Sequence, residues 1–432
     1  MASIWHETAK MPQFPTLDKD ISTDVLIIGG GMAGILCAHK LSKAGADYVL
    51  VEANTIGSGI TRNTTAKISA QHGLVYHKLI RKLGEGGAQQ YLQANLNALE
   101  EYRTLCNEMD CDFQDQDSFI YALDNQDLLE TEWDALRALG YEAELVRKIP
   151  LPFPNAGAVK FPRQAQFHPL KFLACIASGL RIYEHTKVQE LAPGIASTAS
   201  GVIHAQKILV ATHFPFLNKH GNYFLKMYQQ RSYCLALANA PIPNGMYLGA
   251  QKNSLSFRSY GDLLILGGGG HRTGKKGGNW QELEAFAKKY YPQHKILYRW
   301  ATQDCMSLDG IPYIGQYSAR TPDLFVATGF NKWGMTSSMV AANILSDLVL
   351  GKENPYASIF LPSRSILLPQ LALNAWETAT NLLRPSTKRC PHLGCAMKWN
   401  PQERSWDCPC HGSRFDENGK LLDNPATNDL NS

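Results

Sequence analysis

The side chains best able to do chemistry gather near the C-terminal end of this 432-residue chain. They read Cys390-Pro391-His392-Leu393-Gly394-Cys395 and then Cys408-Pro409-Cys410-His411-Gly412-Ser413. Taking Cys390, His392, Cys408 and His411 as metal donors gives two thiolates and two imidazoles, one of each from either arm. A [2Fe-2S] cluster takes such a set, with two cysteines on one iron and two histidines on the other. Zinc also accepts two cysteines and two histidines, but finger spacing pairs like with like, and each arm here is mixed. A plain disulfide hairpin would leave both histidines unexplained.

A second motif lies near the start. Residues 24–34 read DVLIIGGGMAG, an apolar run leading into Gly29, Gly31 and Gly34; then come a helix-like stretch, ILCAHKLSKAG, and a strand-like YVLVE ending in Glu52. Glycines at these positions permit a tight turn and a close approach of backbone to a pyrophosphate at the helix N-terminus. An acid roughly twenty residues on can bond a ribose hydroxyl. Three further stretches belong with it: GSGITRNTTAK (57–67, holding Thr65), RIYEHTKV (181–188, ending in Val188) and KILVATHFPF (207–216). Near the far end, DLFVATGFNKWGMTSS (323–338) carries Gly329, Gly334, Met335 and Thr336 and runs into a helix-like MVAANILSDLVLG.

The C-terminal arms resemble the Rieske iron-sulfur family, including the flanks CPHLGC and CPCHGS. The remainder, about 20–355, resembles the D-amino-acid-oxidase-like FAD-dependent oxidoreductases, which include glycine and sarcosine oxidases. TTAKISAQHG, TQDCMSLDGIPYIG and GFNKWGMTSS are similar to a bacterial group that fuses the two. The resemblance implies FAD and a [2Fe-2S] cluster as cofactors. It implies a disulfide between Cys395 and Cys410, as in respiratory-type Rieske proteins. It also implies a hydrogen bond from Ser413 to a cluster sulfur. Where those proteins often carry a donor tyrosine, this chain has Phe415; one hydrogen bond fewer to sulfur should lower the potential.

Within the flavin-binding part, the lysine that promotes oxygen reaction in the sarcosine-oxidase branch falls on Ile265, which disfavours an oxidase because a cation there would stabilise superoxide. That branch's lysine for the substrate carboxylate falls on Thr336. Lys67 and Arg231 are the cations that could replace it, and Trp333 is expected near the flavin or lining the pocket. Cys305 resembles the cysteine through which sarcosine oxidases attach FAD; a buried free thiol is the alternative.

The expected fold class is α/β: a Rossmann-like, glutathione-reductase-type FAD domain with an α+β substrate domain, followed by a small β Rieske module. The expected divisions are an N-terminal arm (1–21), an FAD domain (22–75, 165–215 and 300–355), a substrate domain (76–164 and 216–299), a linker (356–385) with a helix at 367–384, and the module (386–432). Helical periodicity marks 76–164 and alternation marks 216–299, the latter expected to form an antiparallel sheet over the flavin. The module lacks the strands that normally precede the first arm, and so few residues need a metal, a disulfide or a borrowed wall to hold a core.

A formal net charge of +4 with no basic run argues against nucleic acid as a partner. No apolar run approaches membrane-spanning length, no secretory leader is evident, and the six cysteines outside 390–410 read as reduced thiols of a cytoplasmic protein. The implied function is oxidation of a small-molecule amine or amino acid by FAD, with electrons leaving singly through the cluster to an external acceptor. The alternatives are an FAD oxidase with a degenerate Rieske remnant, and a non-catalytic redox sensor.

Overall fold

The computed structural model describes residues 3–217, 220–251, 254–365 and 369–430. Three sheets organise it. In the first, Val202–Val210, Ile21–Ile28 and Tyr48–Val51 run parallel. Ile182–Tyr183 extends one side and Leu324–Thr328 the other, and Tyr313–Gln316 closes the edge antiparallel. The apolar runs VLII and YVLV are buried throughout, as strands covered on both faces must be. Helices Met32–Lys43 and Gly334–Val349 pack together over this sheet, each burying most of its residues. The N-terminal arm forms a short helix, Ile4–Thr8, whose fully buried Trp5 donates to the Thr64 carbonyl at 2.7 Å.

The second sheet runs Lys295–Ser307, Met227–Ala238, Leu263–Arg272, Ser256–Tyr260, Met246–Gly249, Gln114–Ala122, Gly157–Gln166, Lys67–Ile68. It differs from the expected antiparallel sheet in one pairing: Met246–Gly249 lies parallel to Gln114–Ala122. The thirteen-residue strand Lys295–Ser307 crosses the boundary expected at 300 and pairs along its length with Met227–Ala238. The long helix Tyr76–Cys106 packs beside the sheets and kinks at Gly84, where φ is 71°.

Residues 367 and 368 of the expected linker helix lie outside the described residues; the helix is described over Pro369–Leu383. The C-terminal module is a four-stranded antiparallel sheet: Lys398–Asn400, Ser405–Asp407, Arg414–Asp416 and Leu421–Asp423. Its buried cluster holds seven residues, four of them cysteines, with Met397, Phe415 and Ala426. That is too small a core to stand alone. The missing wall is borrowed from the flavin-side domain.

Candidate active site and metal centre

The glycine turn between Ile21–Ile28 and Met32–Lys43 is built for close approach. A Cβ at Gly34 would sit 1.9 Å from the Gly29 carbonyl oxygen, and Gly29 itself has φ 113° against Ala211. Only glycine brings helix and strand this close. Gly31 stands at the helix start, where backbone N–H groups face outward. Glu52 follows the second strand; its carboxylate accepts from the Gly30 amide at 2.7 Å and the Asn54 amide at 2.8 Å. Burial pushes that carboxyl up.

From this turn a cavity of about 1330 Å³ extends across the molecule. Of the expected cofactor residues, Gly29, Gly31, Glu52, Thr65, Val188, Cys305, Gly334 and Met335 line it. Three support from behind: Gly34, Gly329 (φ 72°) and Thr336, whose hydroxyl donates to the Ser69 carbonyl at 2.8 Å. The segment carrying Thr65 and Lys67 is held by buried Arg258, which donates to the Thr65 and Ala66 carbonyls at 2.7 and 2.9 Å. Lys67 lines the cavity, with Nζ 2.6 Å from Ser256 Oγ and 2.9 Å from the Tyr247 carbonyl. Burial, then the Arg258 charge, pulls its ammonium down to about 7. Trp333 lines the cavity and stacks on His72, with centroids 4.8 Å apart. Ile265 is buried in the core beside the cavity.

Lys332 was not among the expected residues. It and Asn331 are consecutive left-handed residues, with φ 72° and 51°, and both line the cavity. Its Nζ lies 3.1 Å from Ser232 Oγ. Asp304, also lining the cavity, is raised by burial, and Lys332 is lowered by burial while Asp304 opposes that shift. Lys332 is exposed and lines the cavity. The sequence signal was available: a lysine between the two glycines of GFNKWG.

Arg231 corrects the pocket assignment. It does not line the cavity; its side chain is 4% exposed and pairs with Glu403 of the C-terminal module. The reason is strand alternation. In the paired strands Met227–Ala238 and Lys295–Ser307, Gln230, Ser232, Thr302 and Asp304 face the cavity. Gln229, Arg231 and Gln303 face the module. Gln229 donates to the His411 carbonyl at 2.9 Å, and Gln303 to the Gly412 carbonyl at 2.8 Å. Cys305, at the cavity's edge, has its thiol driven well up by burial and packed in the cluster of Met227, Tyr313 and Val326. Leu421, Leu422, Asp423, Asn424 and Thr427 of the module also line the cavity, but one sheet layer separates Gln230 and Asp304 from the His411 loop. Arg272 spans it, lining the cavity while donating to the Cys410 carbonyl at 3.1 Å and to Asn374 at 2.9 Å.

The docking face carries a buried charge network. Arg231 and Arg414 face Glu403, Asp407 and Asp423, with Arg414 2.9 Å from Glu403 and Asp423 and 3.0 Å from Asp407. Tyr233 donates to Glu403 at 2.8 Å. Burial alone would raise the Glu403 carboxyl, but Arg231 and Arg414 outweigh it and hold it at about 2.

The donor set fits a two-iron cluster. The Cys390 and Cys408 thiols are within hydrogen-bonding reach, and that contact, with one from Ser413, pulls the Cys390 thiol down against burial. The His392 and His411 rings lie 5.1 Å apart. Like donors are therefore grouped, two cysteines and two histidines, as a cluster with unlike irons requires. Among the described residues neither ring nitrogen of buried His411 has a hydrogen-bond partner, and burial holds the two imidazoles neutral, with values near 4 for His392 and 3 for His411. Cys395 and Cys410 are joined in a disulfide. Their sulfurs crowd Cys408 within 4.8 Å, but a disulfide offers no thiolate, which leaves Cys390 and Cys408 as the free thiols here that could ligate. Phe415 is fully buried. No helix of the described residues is long and apolar enough to cross a membrane.

The FAD dependent oxidoreductase family model matches residues 24–348, and the Rieske [2Fe-2S] domain model matches 369–432. A Rieske 2Fe-2S iron-sulfur protein of Bacillus subtilis (strain 168) is 36% identical over 489 aligned residues, covering 99% of this chain and 96% of that protein. Gamma-glutamylputrescine oxidoreductase of Escherichia coli (strain K12) is 24% identical over 405 residues, covering 85% and 94%. The crystal structure of L-proline dehydrogenase from P. horikoshii shares the fold, with a TM-score of 0.68 and 18% identity over 81% of this chain and 98% of that one. The chain belongs to the FAD dependent oxidoreductase family and carries a C-terminal Rieske [2Fe-2S] domain, with FAD and a [2Fe-2S] cluster as its cofactors.

Proposed function

We propose that this protein is a dehydrogenase that oxidises the carbon beside the nitrogen of an amine or amino acid, and that its electrons leave one at a time through the Rieske domain to an external acceptor. Bound FAD would supply a hydride acceptor and a bound cluster a one-electron acceptor; the chain supplies alignment, which is the main requirement for hydride transfer from a neutral amine. Lys332 and Asp304 both line the cavity and interact electrostatically, offering an ammonium and a carboxyl group to the two ends of an amino acid. Trp333, braced by His72, shapes the wall. The named activities of the E. coli and P. horikoshii proteins agree with this substrate class.

The observation that carries the reading is the two-faced pair of strands, with the cavity on one side and the His411 loop gripped on the other. An oxidase reading has one observation in its favour: Lys67 supplies a cavity cation although Ile265 does not. Anaerobic titration with a panel of amines and amino acids tests the proposal. Bleaching of FAD absorbance by members of the panel is expected. Bleaching followed by reoxidation by oxygen faster than by any one-electron acceptor favours the oxidase, and no bleaching contradicts both.

A further inference from the structure

We infer that the helix Pro369–Leu383 and the adjoining His392 loop form the docking surface for a small acidic protein that carries single electrons. This rests on the proposed route through the cluster. The cluster has two unequal sides. The Phe224 ring lies against both histidines, 5.8 Å from His411 and 6.4 Å from His392, but only the His411 loop is held down on the flavin domain, by Gln229 on the His411 carbonyl and Gln303 on the Gly412 carbonyl. On the other arm, Pro391 and Leu393 are exposed and His392 is only half-buried. Electrons entering by the first side would leave by the second.

Next to that exit lies an unusual surface. Leu373, Trp376 and Leu383 are 57%, 68% and 84% exposed, the three most exposed large apolar side chains among the described residues. Their spacing puts them along one side of the helix. The opposite side is anchored: Asn374 is buried and accepts from Arg272, and the buried Asn381 accepts through its carbonyl from the Ala396 amide. Arg389 ties the helix end to the loop, donating to both the Leu382 and Gly394 carbonyls. The stripe is therefore fixed beside the His392 arm. Around it gather Lys275, Arg384, Lys388, Arg389 and Lys398, with Glu377 as the counter-charge on Lys275. An apolar centre with a rim of one sign is the pattern of a short-lived protein interface steered by charge.

Charge selects the occupant. A second copy would bring the same basic rim and be repelled. A bilayer would take the stripe, but would cover the exit with a surface that accepts no electron. An acidic carrier satisfies rim, stripe and exit together. Each encounter moves one electron from the reduced cluster to the oxidised carrier, so two encounters clear the two electrons of one substrate oxidation.

The test uses the holoprotein reduced anaerobically with dithionite, so no substrate is needed and its outcome is separate from that of the amine titration. Stopped-flow mixing with an acidic plastocyanin and with a basic cytochrome c gives two second-order rates. The plastocyanin rate is expected to be the larger, to fall about tenfold or more between low salt and about 0.3 M salt, and to fall similarly in Arg384→Glu/Lys388→Glu. It should also fall in Trp376→Ala/Leu383→Ala, while the cluster EPR spectrum and flavin absorbance of both variants stay as in the wild type. Equal rates for the two carriers, or variants as fast as wild type, would overturn the inference. So would stripe-dependent pelleting with phosphatidylserine vesicles, or a wild-type dimer abolished by Trp376→Ala/Leu383→Ala.

Discussion

Removing the Arg231 guanidinium should release the Rieske domain from the flavin domain. In Arg231→Leu the buried network keeps Arg414 as its guanidinium against three carboxylates, Glu403, Asp407 and Asp423. Breaking a buried pair from one side costs about 3–5 kcal/mol, which is roughly two to three and a half decades in a docking equilibrium. Glu403→Gln should be milder. It leaves two guanidiniums against two carboxylates, its amide still accepts from Tyr233, and Asp423 already lies 3.8 Å from Arg231. A loss of about 1–2 kcal/mol is expected there. Denaturant unfolding gives the stability change, and trypsin cleavage at Lys388 and Arg389 together with retained iron reports docking. The expected order is wild type, Glu403→Gln, Arg231→Leu. Both variants within about 0.5 kcal/mol of wild type, or the reverse order, would refute the idea that this network holds the domain. The pH dependence has a definite sign. The folded Glu403 carboxyl, at about 2, lies below the unfolded value near 4.3, so its contribution is present above about 4.3 and fades as the pH falls toward 2.

Three further outcomes are expected. Gly34→Ala puts a methyl 1.9 Å from a backbone oxygen that cannot move aside, so the protein should purify without FAD while keeping the visible spectrum of its cluster. Lys332→Met should raise KM for carboxylate-bearing substrates by about 10- to 100-fold, as expected for a lost charged contact, with kcat changed less and amines lacking a carboxylate unaffected. Lys67, whose folded value near 7 lies below its unfolded one, costs stability at low pH, and the cost lessens as pH rises from about 7 toward 10. The stability advantage of flavin-free Lys67→Met over wild type should therefore shrink by about 2–3 kcal/mol between pH 6 and pH 9.

The parts of the site legible in the sequence are those whose chemistry is local. Gly29, Gly31, Gly34 and Glu52 sit on one strand–helix–strand unit, and each cluster arm brings its own cysteine and histidine. What escaped depends on partners far along the chain. Arg231 reads as a pocket cation until Glu403, 172 residues on, is folded against it. The wall that completes the short Rieske domain comes from Gln229 and Phe224, which carry no motif, and from Gln303, whose motif TQDCMSLDGIPYIG gives no sign that it faces the module. The strand Lys295–Ser307 was cut at 300 because its pairing with Met227–Ala238, not its own composition, sets its length. Lys332 lay in plain view, but only the paired left-handed residues at 331 and 332 turn that loop into the cavity.

The most direct measurement is an anaerobic single turnover with a reactive amine or amino acid, followed by absorbance and by EPR of samples frozen during the reaction. FAD absorbance should bleach and then partly return as the rhombic signal of a reduced Rieske cluster grows at the same rate. Bleaching that persists with the cluster still oxidised, in protein whose cluster dithionite can reduce, would contradict electron flow between the two faces of the shared strands.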